Sequence, residues 1–175
     1  MRKVRFSVAV SLDGFIAGPD GGLGWLIWSG DAARLAGEHW RDFDTVLLGR
    51  KTYDFAAASG QTDGDPGGVR SFIFSRRLEV SPSPHAALVR DDAVGAVRAL
   101  KAGSGKDIIL MGGGELASTL IGAGLVDEIG LNLHPVVLGG GTPLFTSGAA
   151  SAKLELIDAR PLEKGCVWLV YRPAD

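Results

Sequence analysis

Residues 107–145 read DIILMGGGELASTLIGAGLVDEIGLNLHPVVLGGGTPLF, and their pattern decides how the rest of the chain is read. The apolar run at 108–111 has the length and β-branched content of a buried strand. Gly112, Gly113 and Gly114 interrupt it, and a short helix follows with Leu116, Leu120 and Ile121 as its buried stripe, stopped by Gly124. The next strand puts Ile129, Leu131 and Leu133 on one face and Gly130, Asn132 and His134 on the other. Strand, glycine turn, helix, strand is how a parallel sheet presents backbone N–H groups to a phosphate. The block reads as half of a nucleotide-cofactor site.

At 175 residues the chain is expected to form a single domain over residues 1–175 with a sizeable core. Hydrophobic residues at 46% and charged residues at 22% fit a globular enzyme rather than a disordered or membrane-embedded chain. A formal net charge of −2 argues against nucleic acid or an anionic membrane as partner. The lone Cys166 excludes an intramolecular disulfide and suits a reducing compartment, so a cytoplasmic location is expected. The apolar run near the N-terminus is too short for a signal peptide and is cut by Ser7, Ser11 and Asp13.

Ahead of the opening block, residues 4–10 read as a mostly buried strand. Residues 11–30 form a long turn-rich segment with Pro19-Asp20-Gly21-Gly22 at its tip, and a loop of that length in a compact domain is usually functional. Asp31 stands where an N-cap would, before a helix with Leu35, His39 and Trp40 on one side. Residues 45–48 are a buried strand running into Gly49-Arg50-Lys51-Thr52 and a helical segment through Phe55. Residues 58–69 read as a surface loop, and 72–74 and 86–89 as short strands. Asp92 caps a helix at 93–102 that Gly103 ends. Residues 154–159 and 167–171 close the chain as an antiparallel hairpin with its turn at 161–165. The pattern predicts a mixed α/β sheet, mostly parallel, with helices on both faces.

No metal is expected, since His39, His85, His134 and Cys166 share no ligand spacing. Without a G-x-S-x-G elbow, nucleophilic hydrolysis has no support. Gly112-x-Gly114-x-x-Ala117 formally matches a dinucleotide fingerprint, but it comes late in the chain, and Asp127 and Glu128 precede the next strand instead of ending it. A standard Rossmann domain is therefore disfavoured. Two other strand ends carry phosphate chemistry: Gly49-Arg50-Lys51-Thr52, and Phe74-Ser75-Arg76-Arg77 with its paired guanidinium groups. Each alone could be a solvated loop; three such ends together point to a phosphorylated cofactor.

The order of motifs is more telling than any one of them: Ser11-Leu12-Asp13-Gly14-Phe15-Ile16-Ala17, Leu48-Gly49-Arg50-Lys51-Thr52-Tyr53, Phe74-Ser75-Arg76, Met111-Gly112-Gly113-Gly114, and Pro135-Val136-Val137-Leu138-Gly139-Gly140-Gly141 with Leu144-Phe145. This order resembles the dihydrofolate reductase-like superfamily, and most of all the branch with the reductase domain of bacterial riboflavin biosynthesis. The resemblance implies a three-layer fold and NADPH as hydride donor. It assigns Gly49, Arg50, Lys51 and Thr52 to the pyrophosphate and adenosine side, and Ser75 and Arg76 to the 2′-phosphate. Met111, Gly112, Gly113, Gly114, Glu115 and Leu116 become the cofactor turn, with a cis Gly112-Gly113 bond. Ala9, Ile16 and Ala17 line the nicotinamide under a lid at 13–30. Trp25, Asp31, Asn132 and His134 fall on the substrate side.

Asp31 matches the acidic residue of dihydrofolate reductases with an offset of one. A carboxyl in an apolar cleft has a raised pKa and can protonate the atom beside the hydride acceptor; the competing role is an exposed N-cap. For Asn132 and His134 the competing role is pairing or an interface. No Pro follows Trp25 and no aromatic follows the glycine turn, which disfavours folate. Three readings stay open: an NADPH-dependent reductase of a small heterocycle or open-chain aldose analogue, the riboflavin-pathway reductase itself, and a non-catalytic nucleotide-binding module. A homodimer through the C-terminal strands is expected.

Overall fold

A computed structural model describes residues 1–59, 69–146 and 151–174. Its elements are β1 (Val4–Ser11), β2 (Phe15–Ala17), α1 (Gly30–Trp40), β3 (Phe43–Gly49), α2 (Arg50–Ala58), β4 (Arg70–Phe74), β5 (Ala86–Val89), α3 (Ala93–Ala102), β6 (Asp107–Leu110), α4 (Gly114–Gly122), β7 (Glu128–His134), β8 (Thr142–Pro143), β9 (Leu154–Pro161) and β10 (Val167–Pro173), with a 3-10 turn at Glu163–Gly165. Eight strands form one sheet in the order β5-β4-β3-β6-β1-β7-β10-β9. Neighbours from β5 to β7 are parallel, and β10 runs antiparallel to both β7 and β9. The expected mixed sheet with an antiparallel C-terminal hairpin is what forms.

Alternation along the strands builds two cores. Val4, Phe6 and Val10 of β1 join Leu47, Ile108, Leu110 and Ile129 beneath α3 and α4, whose Val97, Leu116, Ala117 and Leu120 are buried. On the opposite face Phe43, Val46, Leu48, Ile73 and Ile109 pack around Tyr53 of α2. The remaining helix, α1, buries no residue. One end of the sheet is clipped by charge: Lys101, 4% exposed, pairs with Asp127 and donates to Leu125 O at 3.0 Å, while Asp127 accepts the Val4 N–H at 2.7 Å.

Several boundaries differ from expectation for local reasons. Ser29, not Asp31, caps α1: its hydroxyl accepts the Ala32 N–H, and the helix starts at Gly30. The turn-rich segment contains β2, which pairs with β8 in a two-stranded sheet too short to show periodicity. Asp92 caps α3 as expected, accepting the Gly95 N–H at 2.7 Å. Most of the loop expected at 58–69 lies outside the described residues. Among the described residues no helix is long and apolar enough to cross a membrane.

Candidate active site

The parallel order places the ends of β3, β4 and β6 side by side. Gly49 is in register with Phe74, so Ser75 and Arg76 emerge beside it. On the other flank Met111 donates its N–H to Leu47 O at 3.0 Å. A Cβ on Gly49 would stand 3.5 Å from the Gly113 Cα, and one on Gly112 would stand 3.2 Å from Thr52 Oγ1. The two glycine turns named from sequence therefore lie against each other, Gly49-Thr52 on one and Gly112-Gly113 on the other. Both helices that leave them, α2 and α4, start at glycine N-caps with no side-chain cap, so their first N–H groups are left for another acceptor.

The Gly112-Gly113 bond, expected cis, is trans, and no cis peptide occurs among the described residues. The chain turns instead through left-handed backbone at both glycines, φ 71° and 84°. Other residues of this edge are partly committed. Arg50 donates to both Asp54 oxygens at 2.7 Å. Ser75 Oγ accepts from the N–H groups of Arg77 and Leu78, both at 3.2 Å, holding the loop that presents exposed Arg76. Leu116 is a core residue, Met111 is half-buried, and Lys51 and Glu115 are exposed.

The second half of the site lies on the face of β1 and β7 beneath α1. Register sets Ser7 beside Gly130, Ala9 beside Asn132, and Ser11 beside His134, with Trp168 of β10 next to Asn132. Ala9, Ile16 and Ala17 are half-buried here and in β2. Residues 11–31 close over this face and are tied down at both ends. Asp13 accepts from the N–H groups of Leu138 at 3.1 Å and Gly139 at 2.7 Å. Its hydrogen bond from Ser11, more than those N–H groups, holds its carboxyl below the usual value. At the other end Ile27 N–H donates to His134 Nδ1 at 3.1 Å, and Lys164 Nζ donates to Trp28 O at 2.6 Å.

Asp31 is not the apolar-cleft carboxyl expected. It accepts from Ser29 Oγ, from Ala32 N–H, and from Glu163 N–H at 2.8 Å. The Ser29 hydroxyl, then the Glu163 N–H, hold its pKa below the ordinary carboxylate value, the opposite of the expected rise. Trp25 and His134 do come together, edge to face at 5.3 Å between ring centroids. Because His134 Nδ1 accepts the Ile27 N–H, the proton of the neutral ring sits on Nε2. Burial lowers the His134 pKa and keeps that ring neutral.

Buried polar groups without partners are rare in folded proteins. Among the described residues four such side-chain atoms occur: Arg5 Nε, Trp25 Nε1, Asn132 Oδ1 and His134 Nε2. Arg5 Nε faces Glu128 Oε2 at 3.2 Å, so the three without any partner are Trp25, Asn132 and His134, all named from sequence. Ser7, His39 and Trp168 were not among the expected site residues. Ser7 Oγ lies 3.3 Å from His39 Nε2, and the His39 and Trp168 rings stand 5.7 Å apart. The signal for Ser7 was present in β1, where Ser7, Ala9 and Ser11 alternate with Phe6, Val8 and Val10.

Known proteins share the sequence family and the fold. The family model described as RibD C-terminal domain matches residues 2–168. Uncharacterized protein YyaP of Bacillus subtilis (strain 168) is 34% identical over 180 residues, covering 97% of this chain and 94% of its own. A solved protein from Shewanella sp. PV-4, provisionally named a riboflavin biosynthesis protein, is 26% identical with a TM-score of 0.79 over 100% of both chains. Dihydrofolate reductase from Enterococcus faecalis, solved with NADP(H) and RAB-propyl, shares the fold at a TM-score of 0.74 and 16% identity, over 99% of this chain and 97% of that one.

Proposed function

The chain belongs to the RibD C-terminal domain family, and from that premise we propose that it is an NADPH-dependent reductase of a small heterocyclic, pterin- or pyrimidine-like substrate. The supporting observation is the close approach of Gly49 and Thr52 to Gly112 and Gly113, where side chains would fill a cradle between two uncapped helix starts. A pyrophosphate fits such a cradle, because backbone N–H groups and the positive ends of both helices face it. Arg76 beside Ser75 would take a 2′-phosphate, favouring NADPH over NADH.

The cofactor, when bound, supplies hydride for a C=N or C=O carbon. The chain's own work is orientation and exclusion of water. Ala9, Ile16 and Ala17 give the nicotinamide side apolar contacts; residues 11–31 cover it. Trp25 Nε1–H and His134 Nε2–H donate to the substrate, and Asn132 Oδ1 accepts from it, which gives all three a partner. Asp31, its pKa held below the ordinary carboxylate value, is a poor proton donor, so in this reading the proton comes from solvent. The riboflavin-pathway reductase itself is the second reading, favoured by the family and by the Shewanella neighbour.

Titration with NADPH and NADH, followed through the four tryptophans, tests the cofactor half. NADPH should bind more tightly, and Arg76→Ala should cost about ten-fold in NADPH affinity and little in NADH, the size of one charge-assisted contact. No binding at millimolar cofactor would sink the proposal. A homodimer is proposed through β9, the sheet edge on which Leu154, Leu156 and Ile157 are exposed; light scattering giving a monomer removes it. A reducing cytoplasm suits the buried, unpaired thiol of Cys166.

A further inference from the structure

We propose that His134 is the catch of the lid segment 18–28, and that a proton on its Nδ1 releases this segment and opens the cleft beneath α1. The inference concerns how the cleft is opened and does not depend on which cofactor or substrate enters it.

The segment has few ties to the rest of the molecule. From Gly18 to Leu26 its hydrogen bonds, among the described residues, are internal. Gly18 N–H donates to Gly22 O at 3.0 Å, Gly21 N–H to Gly18 O at 2.9 Å, Gly22 N–H to Asp20 Oδ1 at 2.8 Å and Leu26 N–H to Leu23 O at 3.1 Å. The Ile27 N–H, donated to His134 Nδ1, is the first that reaches the sheet. The Trp25 ring packs edge-on against the same imidazole. Lys164 holds the next residue through Trp28 O. A single ring, 1% exposed at the end of β7, thus receives both the backbone and a side chain of the lid.

The catch works while Nδ1 is an acceptor. With a proton there, two N–H donors face each other, and both are left buried without a partner. The surroundings do not hold a charged ring in place. On β1, Ser11 stands in register with His134, but its hydroxyl is donated to Asp13 at 2.6 Å, and Asp13 in turn takes the Leu138 and Gly139 N–H groups. Ahead of β10, Cys166 Sγ lies 3.6 Å from Nδ1, and burial raises its pKa, so it meets the ring as a neutral thiol. The charges that reach that thiol oppose each other: Asp31 raises its pKa and Lys164 lowers it. Trp25 and Ile27, on the lid, carry no charge. Burial is the cause that lowers the His134 pKa. Opening the lid removes that burial, so the open form takes up the proton more readily than the closed one. As pH falls below about 6.5 the ratio of closed to open lid should drop, by up to about ten-fold per pH unit, until the closed form also titrates.

The test follows the ring and the lid together in the ligand-free protein. NMR of the His134 ring gives its titration midpoint. Amide exchange, corrected for the intrinsic rate at each pH, gives the protection of Ile27. From about pH 7.5 to one unit below the midpoint, Ile27 protection should fall about ten-fold, the size of one hydrogen bond. The Leu138 and Gly139 amides, held by Asp13, should keep theirs. His134→Asn places a neutral amide oxygen near the position of Nδ1 and cannot be charged, so its Ile27 protection should not change with pH. His39→Gln, which removes the other histidine of lowered pKa, should respond as the parent does. A His134 ring still neutral at about pH 4.5, or Ile27 protection that does not follow its midpoint, overturns the catch. So does an undiminished response in His134→Asn. Where that variant loses the tie at every pH, coincidence of the two midpoints in the parent chain decides the matter.

Discussion

Along β1 and β7 alternate residues meet two environments. Phe6 and Ile129, on the face covered by α3 and α4, are 0% and 1% exposed inside a continuous apolar cluster. Ser7, Ala9 and Asn132, on the other face of the same strands, are half-buried under a helix that buries nothing. Burial of large apolar side chains makes the first face the source of stability. The second face forgoes that contribution and leaves polar atoms without partners, a local loss that a ligand can reverse. On the proposed function the same strands divide stability and recognition between their two sides.

Truncating the closed face should have the largest effect. Leu120→Ala, at a fully buried site of α4, should cost about 2–5 kcal/mol by denaturant unfolding, with the cofactor preference unchanged. A variant that kept its stability but changed its cofactor preference would erase the distinction between faces. Next is the cradle. Gly113→Val adds a β-branched side chain at φ 84°, against Gly49, and should cost about 1–2 kcal/mol of stability from the backbone alone. NADPH affinity should fall more than ten-fold; unchanged affinity would mean the two turns do not form the cofactor site.

The open face should also show in pH dependence. His134 has a lowered folded pKa, so the unfolded chain takes up its proton first as pH falls below about 6.5. Stability is therefore complete above that pH and declines below it, by at most about 1.4 kcal/mol per pH unit for one proton. Protonation also turns the acceptor of the Ile27 N–H into a donor. His134→Phe should flatten the slope below about pH 6.5, leaving the contribution of His39, whose pKa burial also lowers. An identical slope in the variant would show that His134 is not a linked group. The smallest effect is expected at Lys164→Gly. It relieves the φ of 59° that Lys164 adopts, and loses the bond to Trp28 O, so global stability should move within about 1 kcal/mol. Amide exchange at Trp25 and Ile27 should nevertheless quicken; protection equal to that of the parent would show that Lys164 does not hold the lid.

What could be read from sequence follows the range of the interaction. Glycine turns, strand alternation and the Asp92 cap are local, so the facing glycine turns and the mixed sheet were legible in 107–145 and at 49–52. The short β2–β8 pair was not, because three residues cannot show a period. Asp31 was misread because its carboxyl is held first by the Ser29 hydroxyl and then by the Glu163 N–H, 132 positions away, which nothing near Asp31 announces. Trp168 looked like one more apolar strand residue until register set it beside Asn132 and over Gly130. Asn132 and His134 were legible only as the unlike face of β7; their missing partners are a property of the fold.

The strand order also bears on how the chain reaches this state. Of this sheet's strands β1 is made before its neighbours β6 and β7, so one of its edges stays bare until residue 110 has left the ribosome and the other until residue 134. At roughly 10 residues per second that is an exposure on the order of ten seconds for VRFSVAVS. Arg5 and Ser7, placed between its apolar residues, make this segment a poorer template for self-association while it waits. The residues that shape the cleft in the finished molecule would then also guard the nascent one.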